Sequence, residues 1–210
     1  MSTLKFDPLN IVVCGIGGQG NVLAAEVLGT AMCDRGFRVA IGETYGASQR
    51  GGSVMSHVRV SAVLDPSVLI PAGEAHLIVG FEPLETLRMV RKYAGSQTTV
   101  VYDPRPVYPL GVLQGTQTYP PLDALAQEIR DLTALAVAVP AADIAMEAGD
   151  SKAANIALLG AFSQLAAAPL SGEDLEKILA QRFQGRVLEI NRRAFALGCE
   201  AAGKGAAAHG

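Results

Sequence analysis

The chain has 210 residues, 50% of them hydrophobic and 18% charged, and a net charge of -3. That composition fills a sizeable core in one large domain and excludes disorder over most of the length. Acids and bases are mixed along the chain, and nothing in their pattern argues for a nucleic-acid surface or a polybasic membrane patch.

Met1 to Asn10 holds no apolar run, so no secretory signal is expected there. Asn10-Ile-Val-Val-Cys14 is a β-branched run ahead of a glycine cluster and predicts a buried strand. Gly20 to Arg35, rich in Ala, Val and Leu, predicts a helix stopped at Asp34-Arg35-Gly36. Phe37 to Gly42 predicts a second strand, and Thr44 to Gly52 a polar, glycine-bearing loop. From Ser53 to Ser61 the residues alternate, Val54, Ser56, Val58 and Val60 against Met55, His57 and Arg59, which predicts a half-buried strand.

Ala75 to Phe81 predicts a strand, Pro83 to Tyr93 a helix and Thr98 to Asp103 a strand. The Pro- and Gly-rich stretch from Pro104 to Pro121 reads as loop, with a short strand near Thr116 to Tyr119. Leu122 to Leu132 predicts a helix, Ala134 to Val139 a strand, and Ala142 to Ala167 an Ala/Leu-rich helical stretch. Ser171-Gly-Glu-Asp174 is an N-cap pattern opening Leu175 to Phe183, and a last helix runs from Arg186 to Ala201. Leu135 to Met146 and Ile156 to Leu170 are too short to span a membrane and are broken by Pro140, Gln164 and Pro169. The alternation of strand and helix predicts an α/β class with an open, mostly parallel sheet, flanking helices and a helical C-terminal part. Residues 1–202 read as a single domain and 203–210 as a disordered tail.

Cys14, Cys33 and Cys199 are odd in number and far apart, which suits reduced thiols in a cytoplasm and offers no cluster or zinc spacing. No metal site is assigned to His57, His76 and His209, the only histidines. His57 reads equally as an interface or ligand contact and as a strand histidine with a satisfied hydrogen bond, and no acid–base role is assigned to it.

Two clusters carry the functional signal. Gly15-Ile-Gly17-Gly18-Gln19-Gly20 lies between a predicted strand and a predicted helix, the context that gives G-x-G-x-x-G its meaning. Glycines permit a tight turn and expose backbone N–H groups, and a helix N-terminus favours an anion. Glu43 stands near the spacing of an acid that holds a ribose hydroxyl. Two features count against a nicotinamide site: no crossover helix fits between the second strand and Ser53, and Gly18-Gln19 is more specific than a pyrophosphate loop requires. A bare turn, a nucleotide-phosphate or acyl-carrier contact, and a nicotinamide site all stay open. In the second cluster Arg50, a planar five-donor cation, stands between Gln49 and Gly51-Gly52, which reads as an anion-binding or subunit-contact loop or as a solvated arginine beside a turn.

Together the clusters resemble a known family. Gly15-x-Gly-Gly-Gln-Gly20, then a helix, a strand and Gln49-Arg-Gly-Gly-Ser-Val-x-Ser-His-Val-Arg59, is similar to the gamma-type domain of 2-oxoacid:ferredoxin oxidoreductases. The Gln-Arg-Gly-Gly-Ser-Val form and Ser56-His57-Val58-Arg59 most resemble the indolepyruvate oxidoreductase beta subunits, and Ala154-Asn-Ile-Ala-Leu-Leu-Gly160 resembles that family's later helix. The resemblance implies a complex that decarboxylates a 2-oxoacid on thiamine diphosphate and Mg, passes electrons through [4Fe-4S] clusters to ferredoxin, and delivers the acyl group to coenzyme A. It implies that Gly15, Gly17, Gly18, Gln19, Gly20, Gln49, Arg50, Gly51 and Gly52 form a cofactor-contacting rim. This chain lacks cluster ligands, and Gly149-Asp150 is followed by Asn155 but not by the later asparagines of a thiamine motif. Those cofactors are therefore expected on a larger partner subunit, whose active site this chain completes, inactive alone, with a coenzyme A contact left open. The alternatives are a free-standing nicotinamide- or flavin-dependent enzyme and a non-catalytic anion-binding assembly module.

Overall fold

The computed structural model describes residues 4–45 and 52–207. Strands β1 (Leu9–Ile16), β2 (Arg38–Tyr45), β3 (Ser53–Ser61), β4 (Ala75–Gly80), β5 (Ala94–Tyr102) and β6 (Leu135–Ala138) form one sheet in the order β2-β3-β1-β4-β5-β6. Strands β1, β4, β5 and β6 pair parallel, while β3 is antiparallel to both β1 and β2. The β2–β3 hairpin stands where a nucleotide-binding half would carry a crossover helix. Five strands thus point one way, and the loops after β1, β4, β5 and β6 share a rim with the β2–β3 connection.

Helices α1 (Asn21–Asp34), α5 (Ala141–Ala148), α6 (Ala154–Ser163), α7 (Gly172–Arg182) and α8 (Gly185–Ala207) cover one face of the sheet, with α6 and α8 packed on each other. The opposite face is covered by α2 (Pro83–Tyr93) and α4 (Leu122–Asp131), with Ile70 from the segment after β3. A helix α3 (Leu110–Leu113) interrupts the loop after β5. The α1 stop falls as expected: Gly36 takes φ 85°, and the Phe37 N–H donates to the Met32 carbonyl at 3.1 Å. Ser171 and Asp174 form a reciprocal capping box at α7.

Several expectations change. β3 is buried on both faces, with His57 1% and Arg59 7% exposed. Arg59 explains why: its guanidinium donates to Asn10 Oδ1 at 2.9 Å and to the Leu69 carbonyl at 3.0 Å, holding the 62–73 segment over that face. His57 Nδ1 accepts from the Ile70 N–H at 3.2 Å, and its ring meets Tyr93 edge-on, so the satisfied strand histidine is the reading that holds. The Ala142 to Ala167 stretch is not one helix. Gly149, at φ 119°, ends α5, and Asp150 Oδ1 accepts from the Lys152 N–H at 2.9 Å, opening a 3-10 turn (Ser151–Ala153) before α6. No strand forms at Thr116 to Tyr119; the Thr116 and Gln117 N–H groups both turn back to the Gly111 carbonyl. Helix α8 continues to Ala207, into the segment read as a tail.

Candidate functional site

The glycine loop sits at the rim where β1 hands over to α1. Gly18 and Gly20 adopt φ 103° and 84°, a left-handed region open to glycine and strained for other residues. Gly20 is also crowded, since a Cβ there would lie 2.4 Å from Asn155 Nδ2. At Gly15 a Cβ would lie 2.8 Å from the Phe81 Cβ. Gly18 faces open space. No side chain caps α1, so its first-turn N–H groups are left for other partners.

Gln19 does something the sequence did not reveal. Its Oε1 accepts from the Ile16 N–H at 2.7 Å and its Nε2 donates to the Phe81 carbonyl at 3.0 Å. The side chain stitches the loop to the end of β4, and both ends of its amide are occupied. The Gly17 N–H donates to the Gly52 carbonyl at 2.9 Å, which joins the two clusters read from the sequence. Gln49, Arg50 and Gly51 lie outside the described residues.

Around the loop the rim opens into two clefts. One, of about 440 Å³, is lined by Gly18, Gln19, Gly20, Asp103, Lys152 and Asn155, among others. The other, of about 580 Å³, includes Gly17, Gly18, Gly20, Val54 and Arg182. Asp103 was not singled out from the sequence, although an acid directly after a strand end is the signal that could have found it. Its carboxylate accepts from the Arg105 N–H at 2.9 Å and the Ala142 N–H at 2.8 Å. Burial pushes this carboxyl above the ordinary range, against the pull of those two bonds. Glu82 behaves alike: it is 1% exposed, burial raises it, and it receives bonds from the Tyr119 hydroxyl and the Glu85 N–H. It thereby clasps the loop after β5 to the start of α2.

The residues present do not fit an iron–sulfur cluster. Cys14 is buried in β1, where burial pushes its thiol far up; Cys33 is exposed on α1; Cys199 is half-buried on α8. Among the described residues no three His, Cys, Asp or Glu side chains group to hold a metal ion. Among them, too, no helix is long and apolar enough to cross a membrane.

An open sheet with a glycine turn at its rim, and a hairpin in place of a crossover helix, defines the chain as an α/β protein with a mostly parallel sheet. Residues 10–201 match the pyruvate ferredoxin/flavodoxin oxidoreductase family, and the chain belongs to that family. The indolepyruvate oxidoreductase subunit IorB of Thermococcus kodakarensis is 38% identical to it, over 92% of this chain and 95% of its own length. The IorB subunit of Archaeoglobus fulgidus is 35% identical, over 90% and 93%. In fold, the chain is similar to the gamma subunit of a keto/oxoacid ferredoxin oxidoreductase from Geobacter sulfurreducens, with a TM-score of 0.65 and 24% identity over 93% of this chain and 99% of that one.

Proposed function

We infer that this chain is the cofactor-poor subunit of a 2-oxoacid:ferredoxin oxidoreductase of the indolepyruvate, or aryl pyruvate, type. It completes the active site of a larger partner that holds thiamine diphosphate, Mg and the [4Fe-4S] clusters, and the complex makes an acyl-CoA with ferredoxin as electron acceptor. The supporting observation is the Gly17–Gly52 bond, which ties the glycine turn to the last residue of the second sequence cluster, on a rim with uncapped N–H groups. That rim suits a phosphate of coenzyme A, since backbone N–H groups at a helix N-terminus favour anions. The names of the IorB relatives point to the same class of substrate. Both the thiamine and the cluster chemistry then belong to the partner, and this chain's part is to position coenzyme A and close off water.

The test is co-purification from native cells followed by turnover assays. A larger chain with visible iron–sulfur absorbance should accompany this one, and only the pair should decarboxylate an aryl pyruvate with coenzyme A and ferredoxin. The isolated chain should be colourless and inactive. Iron–sulfur absorbance or 2-oxoacid oxidation by the isolated chain would sink the assignment.

A further inference from the structure

The two outer strands of the sheet are built differently. β6 closes one side with four residues and stops just before Pro140, and so short an edge offers little backbone to a foreign strand. β2 closes the other side with eight residues, in unbroken register with β3. It carries no lysine, no proline and no bulge, the devices that shield an exposed edge. Its only charges are Arg38 at one end and Glu43 toward the other.

The ladder fixes which way the β2 backbone points. The Gly17 N–H bonds to the Gly52 carbonyl directly across from it, and bonded pairs alternate along an antiparallel ladder. The bonded pairs of β1 and β3 are therefore Gly15 with Val54, Val13 with Ser56 and Ile11 with Val58. The β3 residues between them, Met55, His57 and Arg59, bond to Thr44, Gly42 and Ala40 of β2. Val39, Ile41 and Glu43 then turn their N–H and C=O groups away from the sheet, and among the described residues β2 pairs with no strand but β3. Apolar side chains flank this edge on both faces. On one, Ile41 is exposed and reaches over Gly29 of α1, beside a groove of about 620 Å³ that Val39, Thr30 and Cys33 also line. On the other, the 62–73 segment exposes Val63, Leu64 and Val68, with Val68 against Gly42 and the Val63 carbonyl held by Arg38 at 3.0 Å.

An edge of this kind takes a strand, and a second β2 fits it. A two-fold axis perpendicular to the sheet keeps each face on its own side. Side chains alternate faces along a strand, so odd-numbered residues must lie opposite odd-numbered residues. Those are the residues whose N–H and C=O groups point outward, so donors meet acceptors. With Ile41 on the axis, Arg38 to Thr44 overlap in full, and Val39 lies opposite the other copy's Glu43. The charges agree, because antiparallel pairing brings the Arg38 end of each copy to the Glu43 end of the other. We propose that two copies of this chain join edge to edge through β2, Ile41 against Ile41, into one continuous sheet. The proposal does not rest on the function inferred above.

The experiment combines sedimentation with amide hydrogen exchange read by NMR, both on the full chain. The chain should sediment as a dimer, and the Val39 and Ile41 amides should then exchange as slowly as those of Ala40 and Gly42. A bare edge would give alternating fast and slow amides instead. Ile41→Pro removes an outward N–H and no bond to β3, so the fold should persist by circular dichroism. Its dimer dissociation constant should rise at least about tenfold, for two lost hydrogen bonds. Ile41→Lys sets two like charges face to face on the axis and should weaken the dimer without altering the backbone. If Ile41→Pro fails to fold, Ile41→Lys and the wild-type exchange decide. A chain that stays monomeric, with fast Val39 and Ile41 amides, overturns the proposal. So does a dimer that keeps those amides fast, or one that Ile41→Lys leaves unweakened, since its contact lies elsewhere. Slow exchange that appears only when the larger subunit is added assigns the edge to a strand of that subunit and also overturns it.

Discussion

The Gly17 N–H donates to the Gly52 carbonyl at 2.9 Å, so the turn after β1 and the end of the β2–β3 connection form one rim. The hairpin makes this contact possible. Because β3 returns antiparallel between β2 and β1, Ser53 pairs opposite Ile16. The chain therefore re-enters the sheet beside the glycine turn, where a crossover helix would have carried it away.

Gly20 and Gly36 permit a controlled comparison, since their φ values are 84° and 85°. Alanine pays the left-handed penalty at both, roughly 1–2 kcal/mol. At Gly36 the new Cβ meets nothing within 4 Å, whereas at Gly20 it meets Asn155 Nδ2 at 2.4 Å. Gly20→Ala should therefore lose about 1–3 kcal/mol more than Gly36→Ala in urea unfolding. Equal losses would mean that Asn155 moves aside freely. Gly20→Val should further impair assembly or turnover with the partner.

Gln19 uses one amide as acceptor and donor at once. Gln19→Leu leaves the Ile16 N–H and the Phe81 carbonyl unpaired, at about 1–3 kcal/mol for each group that stays dry. Gln19→Glu keeps the acceptor but sets a carboxylate against the Phe81 carbonyl. Its deficit should shrink when acid protonates it and restores a donor. Unfolding of both variants at neutral and acidic pH checks this, and a pH-independent Gln19→Glu deficit would contradict it.

Two histidines should set the acid limb of stability. His57 Nδ1 accepts from the Ile70 N–H and His76 Nδ1 from the Asn10 N–H at 3.0 Å, so each is needed neutral. Burial lowers both below the ordinary value, with Lys92 and Arg59 adding to the effect at His57. Above about pH 6.5 both states are neutral and this contribution is whole. As pH falls through that value the unfolded chain takes up protons that the folded chain refuses, and stability is lost by up to about 1.4 kcal/mol per pH unit for each group. His57→Asn replaces the accepting nitrogen with an oxygen that does not titrate in this range, so its pH profile should be shallower. Parallel profiles for wild type and variant would remove His57 from the account.

Arg50 tests the functional reading directly. Charge-assisted bonds from a guanidinium contribute about 1.5–3 kcal/mol each, so Arg50→Ala should cost roughly 10- to 100-fold. If its anion is a coenzyme A phosphate, the coenzyme A concentration needed for half-maximal turnover rises by that factor while the complex stays intact. If it is a partner carboxylate, the complex loosens and its assembly changes its salt dependence. Arg50→Lys keeps the charge but loses the fork and should also be impaired. Unchanged assembly, coenzyme A dependence and rate would make Arg50 a solvated loop residue.

Local signals in the sequence marked most elements. Pro83 and Glu82 start α2, Gly36 stops α1, and Ser171 with Asp174 opens α7, because caps and stops are decided within a few neighbouring residues. The lack of room for a crossover helix before Ser53 was also legible, since chain length alone limits what can be crossed. Gly149 was legible less well: its Ala/Leu surroundings matched one long helix, and a single left-handed residue divided it.

By itself the sequence determined the α/β class, the glycine turn between β1 and α1, and the family, because these depend on short-range pattern and on residue types at fixed spacing. Tertiary structure alone decided that Gln19 is a brace whose two bonds reach Ile16 and Phe81, and that Asp103 and Asn155 join the glycine rim. It also decided that both faces of β3 are buried, since alternation along a strand does not say what covers its second side. In each case the partners come from distant parts of the chain, and only the order and direction of the strands bring them within hydrogen-bonding reach.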